Sequence, residues 1–471
     1  MTRSMPWRPS GSGRLANDQH PGAAPNLPTG QALWLTALSV LTPGVAHWRA
    51  GKRRTALVLA TTSFVVWGAV ALAIAAAGRT ELVALAVQPA VLMIVLVGAL
   101  LVAPAWMWLV VSSYRAVRPA DPRSRSRLAQ LGVLGLCAAV ALPPAAIANL
   151  AYSQYDLVTS VFRDNSAAPA PSAAVPPADR EQGQPLPGER RLNILLLGSD
   201  AGPGRTEART DTMVLASIDQ ETGRTVLFGL PRNLEYAPMP SGPAQDAYPG
   251  GFSDLLNAVY REGAATHPEF GEGAADPGAE LLKGTVSQIL DLPVHNYAMV
   301  NMDGFHHMVD ALGGLDLNVA ARIPMGDTGG FFEPGEQQLD GAHALWYARS
   351  RTGGSDYDRM ARQRCMIGAL ADQADPMTVL RHYDQVADVA KDNVSTDIPS
   401  GMLQDLTGLA EKINPHASVQ FTPPLIQPGA PDYNLIRATA HDTIQQSEAE
   451  QEEESGQSGS GQSQESELRT C

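Results

Sequence analysis

The sequence predicts N-terminal transmembrane helices followed by an extracytoplasmic α/β domain, an α-β-α layered mixed sheet. Three observations predict it. Residues 31–151 are almost wholly apolar between short basic loops, whereas residues 186–445 have the mixed composition of a large globular domain. Within that domain, apolar runs of strand length alternate with helical patterns. The implied boundaries are a disordered segment 1–30, a membrane region 31–151 of three or four helices, a linker 152–190, a folded domain 191–445 and a disordered acidic tail 446–471.

The membrane region comes first. Residues 55–77 and 131–151 carry no charge and are long enough to span a bilayer. Residues 82–111 are also uncharged, and Gln88-Pro89 marks the start of that helix. Residues 31–46 are apolar but short, with Pro43-Gly44 interrupting them, so this piece is either a first span or a re-entrant or interfacial segment. Several hydrophobic runs follow one another without a cleavage site, which excludes a cleavable signal peptide. The basic loops 48–54 (WRAGKRR) and 112–127 (SSYRAVRPADPRSRSR) belong in the cytoplasm and the balanced loop 78–81 outside. The helix at 131–151 then delivers everything after it to the outside. Residues 164–190 are Pro/Ala-rich, a semi-rigid spacer.

Charge and cysteine usage exclude several functions. The net charge is −14, part of it from the acidic tail, and no basic stripe with interleaved aromatics offsets it, so no nucleic acid is expected as partner. Three cysteines make no disulfide framework: Cys137 lies in an apolar run, Cys471 ends the tail, and Cys365 is expected to be a small buried helix residue. Neither CxxC nor HExxH occurs, which argues against thiol redox chemistry and zinc hydrolysis.

In the folded domain, 192–197 (LNILLL) is a strand buried on both faces, ending in Gly198-Ser199-Asp200. Strands at 213–219 and 225–230 follow across the turn 220–223, and Pro231-Arg232 ends the third. Further strands are expected at 296–301, 315–320 and 417–421. Helices are expected at 253–262, 278–290, 302–312, 356–373, 376–391, 400–412 and 432–445. Ligands of such folds gather beyond the strand ends, where Asp200 and Arg232 fall.

The densest chemistry lies in 346–364, WYARSRTGGSDYDRMARQR, with Arg349, Arg351, Arg359, Arg362, Arg364 and Gln363. Arg349 and Arg351 are two apart, so an extended segment points both the same way. Arg359 and Gln363 share one face of a helix capped by Asp356 or Asp358. Forked guanidiniums suit a diphosphate or a phosphoryl-transfer transition state. Alone, such a stretch is ordinarily a solvated helix laced with ion pairs. Asp200 and Asp211 change that reading, because two carboxylates beside a diphosphate suit Mg²⁺ or Mn²⁺. Either aspartate taken singly is an ordinary turn or cap residue.

In order and spacing, NILLLGSD, RTDTMVLASID, LFGLPRN, LLNAVYREGA, NYAMVNMDGFHHMVDALGGLDLNV, LDGAHALWYARSR and SDYDRMARQR resemble the LytR-CpsA-Psr family. The resemblance is strong over 192–373 and fades into the final helices. It implies a membrane-anchored phosphotransferase that moves a glycopolymer from a polyprenyl-diphosphate carrier onto peptidoglycan, forming a phosphodiester. By matching motif, Asp200 and Asp211 would hold the metal. Arg232, Arg349, Arg351, Arg359 and Gln363 would hold the diphosphate, and Asn257 would shape the site. Two positions depart from the family: Asn233 replaces the usual Asp after Pro-Arg, and Ala201 to Gly204 replace the usual arginine after GSD, leaving Arg205 or Arg209 as substitutes.

A polyprenyl chain needs an apolar pocket, and the region 281–312 is expected to line it. The general base stays open among Asp200, Asp211, Asp356 and Asp358. His306 and His307 sit on a packing helix and read as structural. The rival readings are a non-catalytic regulator that binds polyprenyl phosphates, a polyprenyl-diphosphate hydrolase, and a scaffold favoured only by the acidic tail.

Overall fold

The computed structural model describes residues 27–76, 78, 85–118, 127–162, 190–200, 209–271, 273–325, 330–352, 354–373, 383–410 and 412–456. Of the segment expected to be disordered at 1–30, residues 1–26 lie outside these, as do most of the linker and the last fifteen residues, but Thr29 and Gly30 already belong to the first helix. By its contacts the chain divides into two units, Met1–Ala77 with Val95–Asn149, and Gly78–Ile94 with Leu150–Cys471.

The helices of the apolar region are α1 (Thr29–Leu41), α2 (Val45–Arg49), α3 (Arg53–Ala76), α4 (Pro89–Val117) and α5 (Arg127–Val161). Three of them, α3, α4 and α5, are long and apolar enough to cross a membrane. Large apolar side chains face outward on them, Phe64, Leu72 and Ile94 being 80%, 70% and 72% exposed, which suits hydrocarbon rather than water. With 13 residues, α1 reaches about 20 Å and falls short of the roughly 30 Å core of a bilayer. It therefore does not span alone. Its turn into α2 needs Gly44 at φ +99°, where any Cβ would collide with the carbonyl of Ala56.

One boundary moves. The linker was expected from residue 152, but α5 continues to Val161. The reason is packing: Val158 and Val161 are buried, and Asp156 pairs with Lys391 at 2.7 Å.

The C-terminal unit is built on a six-stranded mixed sheet in the order β10-β3-β2-β1-β4-β9. Its strands are β1 (Arg191–Ser199), β2 (Thr210–Asp219), β3 (Arg224–Gly229), β4 (Asn296–Asn301), β9 (Val394–Thr396) and β10 (Asn414–Gln420). β1 runs antiparallel to β2 and parallel to β4, and β10 runs parallel to β3. The continuous apolar run of β1 is explained because both faces of the sheet are covered. Leu195, Leu197, Met213, Leu215, Val226 and Phe228 face a core completed by α8 (Pro277–Leu290) and α14 (Tyr433–Gly456). Leu192, Val214, Ala216, Ile218 and Leu227 face the other way, towards α11 (Asp356–Gln373) and α13 (Leu403–Ala410).

A smaller lobe adjoins this second face. In it, β5 (Leu315–Val319) pairs with β8 (Gly335–Leu339), and β6 (Ile323–Pro324) with β7 (Phe331–Phe332). They pack with α9 (Met302–Ala311) and α10 (Gly341–Arg349) around Leu315, Leu317, Phe332 and Tyr347. The remaining helices are α6 (Pro243–Ala247), α7 (Val259–Arg261) and α12 (Tyr383–Asn393). The helix expected at 253–262 is instead a 3-10 turn, the single turn α7 and a π turn in succession.

A second boundary moves at the C-terminus, because the acidic tail was expected from 446 but α14 runs on to Gly456. Ser447 is buried, Glu448 lies 3.7 Å from Arg191, and Glu450 lies 2.7 Å from His416 and 3.6 Å from Arg224. The acidic residues are thus counterions for two arginines buried at the base of the sheet. Cys365 is buried as expected but is also disulfide-bonded, which three scattered cysteines did not suggest.

Candidate active site

Strand pairing brings the two aspartates together. Ser199 pairs with Thr210 across an irregularity that follows Gly198, so Asp200 leaves β1 beside the residue preceding Asp211 in β2. The turn closes on itself: the Asp200 N–H donates to the Arg209 carbonyl at 3.0 Å, and the Arg209 N–H donates to Asp200 Oδ1 at 2.7 Å. Gly198 is required here, because a Cβ would lie 2.9 Å from that of Thr212.

Asp211 is the most heavily tied of the predicted residues. Its Oδ1 accepts from Arg232 Nη1 at 2.8 Å and from Asn257 Nδ2 at 3.2 Å. Its backbone carbonyl accepts from both Nη atoms of Arg359 at 3.3 Å. Asn257 is buried, and its N–H donates to the Arg232 carbonyl at 3.1 Å, so it fixes both partners of the ion pair. Burial opposes ionisation of Asp211, but the hydrogen bond and charge of Arg232, with Asn257 and Arg359, outweigh it and hold the carboxyl below its ordinary value.

Asp356 forms a second hub, which the sequence did not reveal. Its Oδ1 lies 3.1 Å from Nε of both Arg351 and Arg359, and its Oδ2 lies 3.4 Å from Nε of Arg232. Three guanidiniums therefore share one carboxylate. Burial raises its proton affinity, and the bonds and charges of Arg359, Arg232 and Arg351 more than reverse this, leaving the pKa lowered. Nor does Asp356 cap α11. Ser355 does, its hydroxyl accepting from the Asp358 N–H at 3.2 Å while Asp358 Oδ2 accepts from the Ser355 N–H at 2.6 Å. These bonds hold the Asp358 carboxyl low as well.

The arginine-rich stretch also folds differently from an extended segment. GAHALWYAR is helical, so Arg349 is the last residue of α10, and Ser350 turns the chain before Arg351. Arg359 is only 3% exposed. It holds the Asp211 carbonyl and the Asp356 carboxylate in place from behind. Gln363 donates to the Ala348 carbonyl at 3.0 Å, joining α11 to α10. Arg362 donates to the Ser350 carbonyl and Arg364 to Ser418 Oγ at 2.9 Å, so both are structural.

A cavity of about 350 Å³ opens on these residues. Asp200, Asp211, Arg349 and Gln363 line its polar end, and Leu196, Ala298, Phe305, Met366 and Leu370 are among its apolar walls. It forms where α9, α10 and α11 cover the second face of the sheet incompletely. The expected lining by 281–312 holds only in part. Residues 298–302 and Phe305 line it, but α8 packs on the opposite face of the sheet, with Leu281, Leu282, Val286 and Ile289 in the core there. The lining from α10 and α11 went unseen because their apolar residues read as ordinary core.

Asp200 and Asp211 offer oxygen donors of the kind a hard cation takes. Among the described residues, Oδ2 of Asp211 accepts no hydrogen bond, while Oδ1 carries Arg232 and Asn257. Asn233 Oδ1, next to Arg232, is buried with no hydrogen-bond partner among the described residues. Arg205 lies outside the described residues, and the exposed Arg209 meets Asp200 through its backbone.

The LytR_cpsA_psr family profile matches residues 163–446. The chain belongs to that family. It is 32% identical over 258 residues to the polyisoprenyl-teichoic acid–peptidoglycan teichoic acid transferase TagU of Oceanobacillus iheyensis, covering 54% of this chain and 72% of the relative. It is 30% identical over 211 residues to the TagU of Enterococcus faecalis, covering 44% and 61%. The Biofilm regulatory protein A of Streptococcus mutans is 26% identical, covering 48% and 55%. Among solved structures, B. subtilis TagV matches with a TM-score of 0.40 at 24% identity, covering 55% of this chain and 97% of that one. TagT bound to LIIa-WTA matches with a TM-score of 0.42 at 21% identity, covering 58% and 96%. Membership of the family fits a membrane-anchored protein whose α/β domain lies C-terminal to three apolar helices.

Proposed function

We propose that the protein is a phosphotransferase that moves a glycopolymer from a polyprenyl-diphosphate carrier to peptidoglycan, leaving a phosphodiester bond. The observation that carries this reading is one cavity with apolar walls and an end built of two aspartates, Arg349 and Gln363. An apolar chain and a diphosphate are what such a cavity accommodates together. The names of the TagU relatives support the same substrate class.

In the proposed reaction, a peptidoglycan hydroxyl attacks the phosphorus attached to the glycopolymer, the bond to the bridging oxygen breaks, and polyprenyl phosphate leaves. Arg349 meets the diphosphate at the cavity end. Arg232 and Arg351 stand beside it, aligned by Asp356. Their charge is positioned before the reaction begins, which is where most transition-state stabilisation arises in phosphoryl transfer. A Mg²⁺ or Mn²⁺ ion held by Asp200 and Asp211 would supply further charge neutralisation. Asp211, Asp356 and Asp358 are engaged and held at low proton affinity. The hydroxyl proton passes to a carboxylate at the polar end of the cavity, where Asp200 and Asp211 stand. We place the domain outside the membrane on a multi-pass anchor. The basic loops support this.

The test is lipid extraction and mass spectrometry of the purified protein, followed by a transfer assay with added Mg²⁺. Wild type is expected to carry a polyprenyl phosphate or diphosphate and to transfer glycopolymer. Arg349→Ala should lower turnover by about 100-fold or more, and Asp200→Ala and Asp211→Ala should abolish metal-dependent transfer while keeping the lipid. Lipid retention with no transfer by wild type would favour the regulatory reading that the Streptococcus mutans relative's name suggests. Arg349→Ala turnover within about twofold of wild type would remove the diphosphate clamp.

A further inference from the structure

Among the described residues, and apart from the aspartate–arginine site, one cluster of side chains has the composition of a metal centre. His306, His307 and Asp310 lie on α9, and one ligand atom from each falls within 4.8 Å of the others. An i,i+4 His–Asp pair on a helix is ordinary, and His306 Nε2 does lie 3.0 Å from Asp310 Oδ2. The position of His307 is not ordinary. Consecutive helical side chains diverge by about 100°, yet the two imidazoles lie nearly parallel, 15° apart with centroids at 4.8 Å. The ring of the exposed His307 thus lies back against His306 and brings a third donor to the pair.

The surroundings orient these donors. Asp310 Oδ1 accepts from the Gly341 N–H at 2.7 Å, which fixes the carboxylate and leaves Oδ2 towards His306. Gly341 opens α10 and touches His306 so closely that a Cβ there would collide with its carbonyl. At the start of α10, Asp340 and His343 form a further pair at 2.7 Å.

We propose that His306, His307 and Asp310 bind a divalent transition-metal ion of the Zn²⁺ class, with solvent completing the coordination. Two imidazoles and one carboxylate select such an ion over Mg²⁺, which prefers oxygen donors. The ion would sit where α9 meets the start of α10. Its anchorage matters because α9 contributes Met302 and Phe305 to the cavity and α10 ends in Arg349. The site is separate from Asp200 and Asp211, so its failure and the failure of the transfer reading are distinguishable.

Isothermal titration of the metal-free, detergent-purified full chain with Zn²⁺, in millimolar Mg²⁺, tests this. Wild type is expected to bind one ion at micromolar concentration and to gain thermal stability from it. His307→Ala, which removes an exposed ring, should weaken binding by at least about tenfold, as should Asp310→Asn, which keeps the acceptor for Gly341. Asp200→Asn with Asp211→Asn should bind Zn²⁺ like wild type. Unchanged affinity in His307→Ala and Asp310→Asn, binding lost in the Asp200/Asp211 variant, or no site below millimolar Zn²⁺ would each overturn the proposal.

Discussion

Asp356 illustrates how a single residue organises the site. It accepts from three arginines whose sequence positions span 232 to 359, and one of them, Arg359, is buried. Removing the carboxylate leaves three cations facing one another. Asp356→Ala should therefore lower stability by about 1–3 kcal/mol and turnover as well, read by urea unfolding and the transfer assay. The pH dependence follows from the lowered pKa values of Asp211 and Asp356. Their contribution is fully present above the unfolded carboxyl value of about 4. It is lost as pH falls through the lower folded values, so wild-type stability should decline below about pH 4. Asp356→Asn should decline less steeply, and parallel curves would show that Asp356 contributes nothing. Asp200, Asp211 and Arg232 were legible in the sequence because each ends or begins a strand. The Asp356 hub was not, since it exists only once the starts of β2 and α11 and the end of β3 converge.

Elements were legible where pattern and length agreed. The strand at 296–301 and the helix at 356–373 fall where expected. Short pieces such as β8 and β9 carry too few residues for a period to show. α10 was missed because its nine residues follow a strand closely and present one narrow buried face. The acidic end of α14 was misjudged for a different reason. Its composition alone forbids burial, but its charges face Arg191 and Arg224, both only 8% exposed. Glu448→Ala with Glu450→Ala should cost about 1 kcal/mol after allowance for solvent screening, lowering the melting midpoint by about 2–4 °C. An unchanged midpoint would return this segment to the status of a passive tail. Ser355→Ala removes the cap of α11 and should cost about 1 kcal/mol by the same measurement.

For the whole molecule, topology is the decisive expectation. A reporter fused after residue 163, just past the end of α5, should be active only on the outer side of the membrane. Activity on the cytoplasmic side would invert the arrangement and separate the domain from its proposed substrates. The net charge of −14 sets a further constraint, because an acidic body repels an anionic ligand at long range. Two of the arginines already carry counterions, Arg232 in Asp211 and Asp356, and Arg351 in Asp356. Under the proposed function, these two residues would work as an ion exchanger rather than as a bare positive well. In the proposed reaction, an arriving diphosphate would displace these carboxylates from Arg232 and Arg351, and they would displace the departing monophosphate in turn. The consequence for the proposed reaction is that Arg232 and Arg351 have a carboxylate to return to once the lipid product departs.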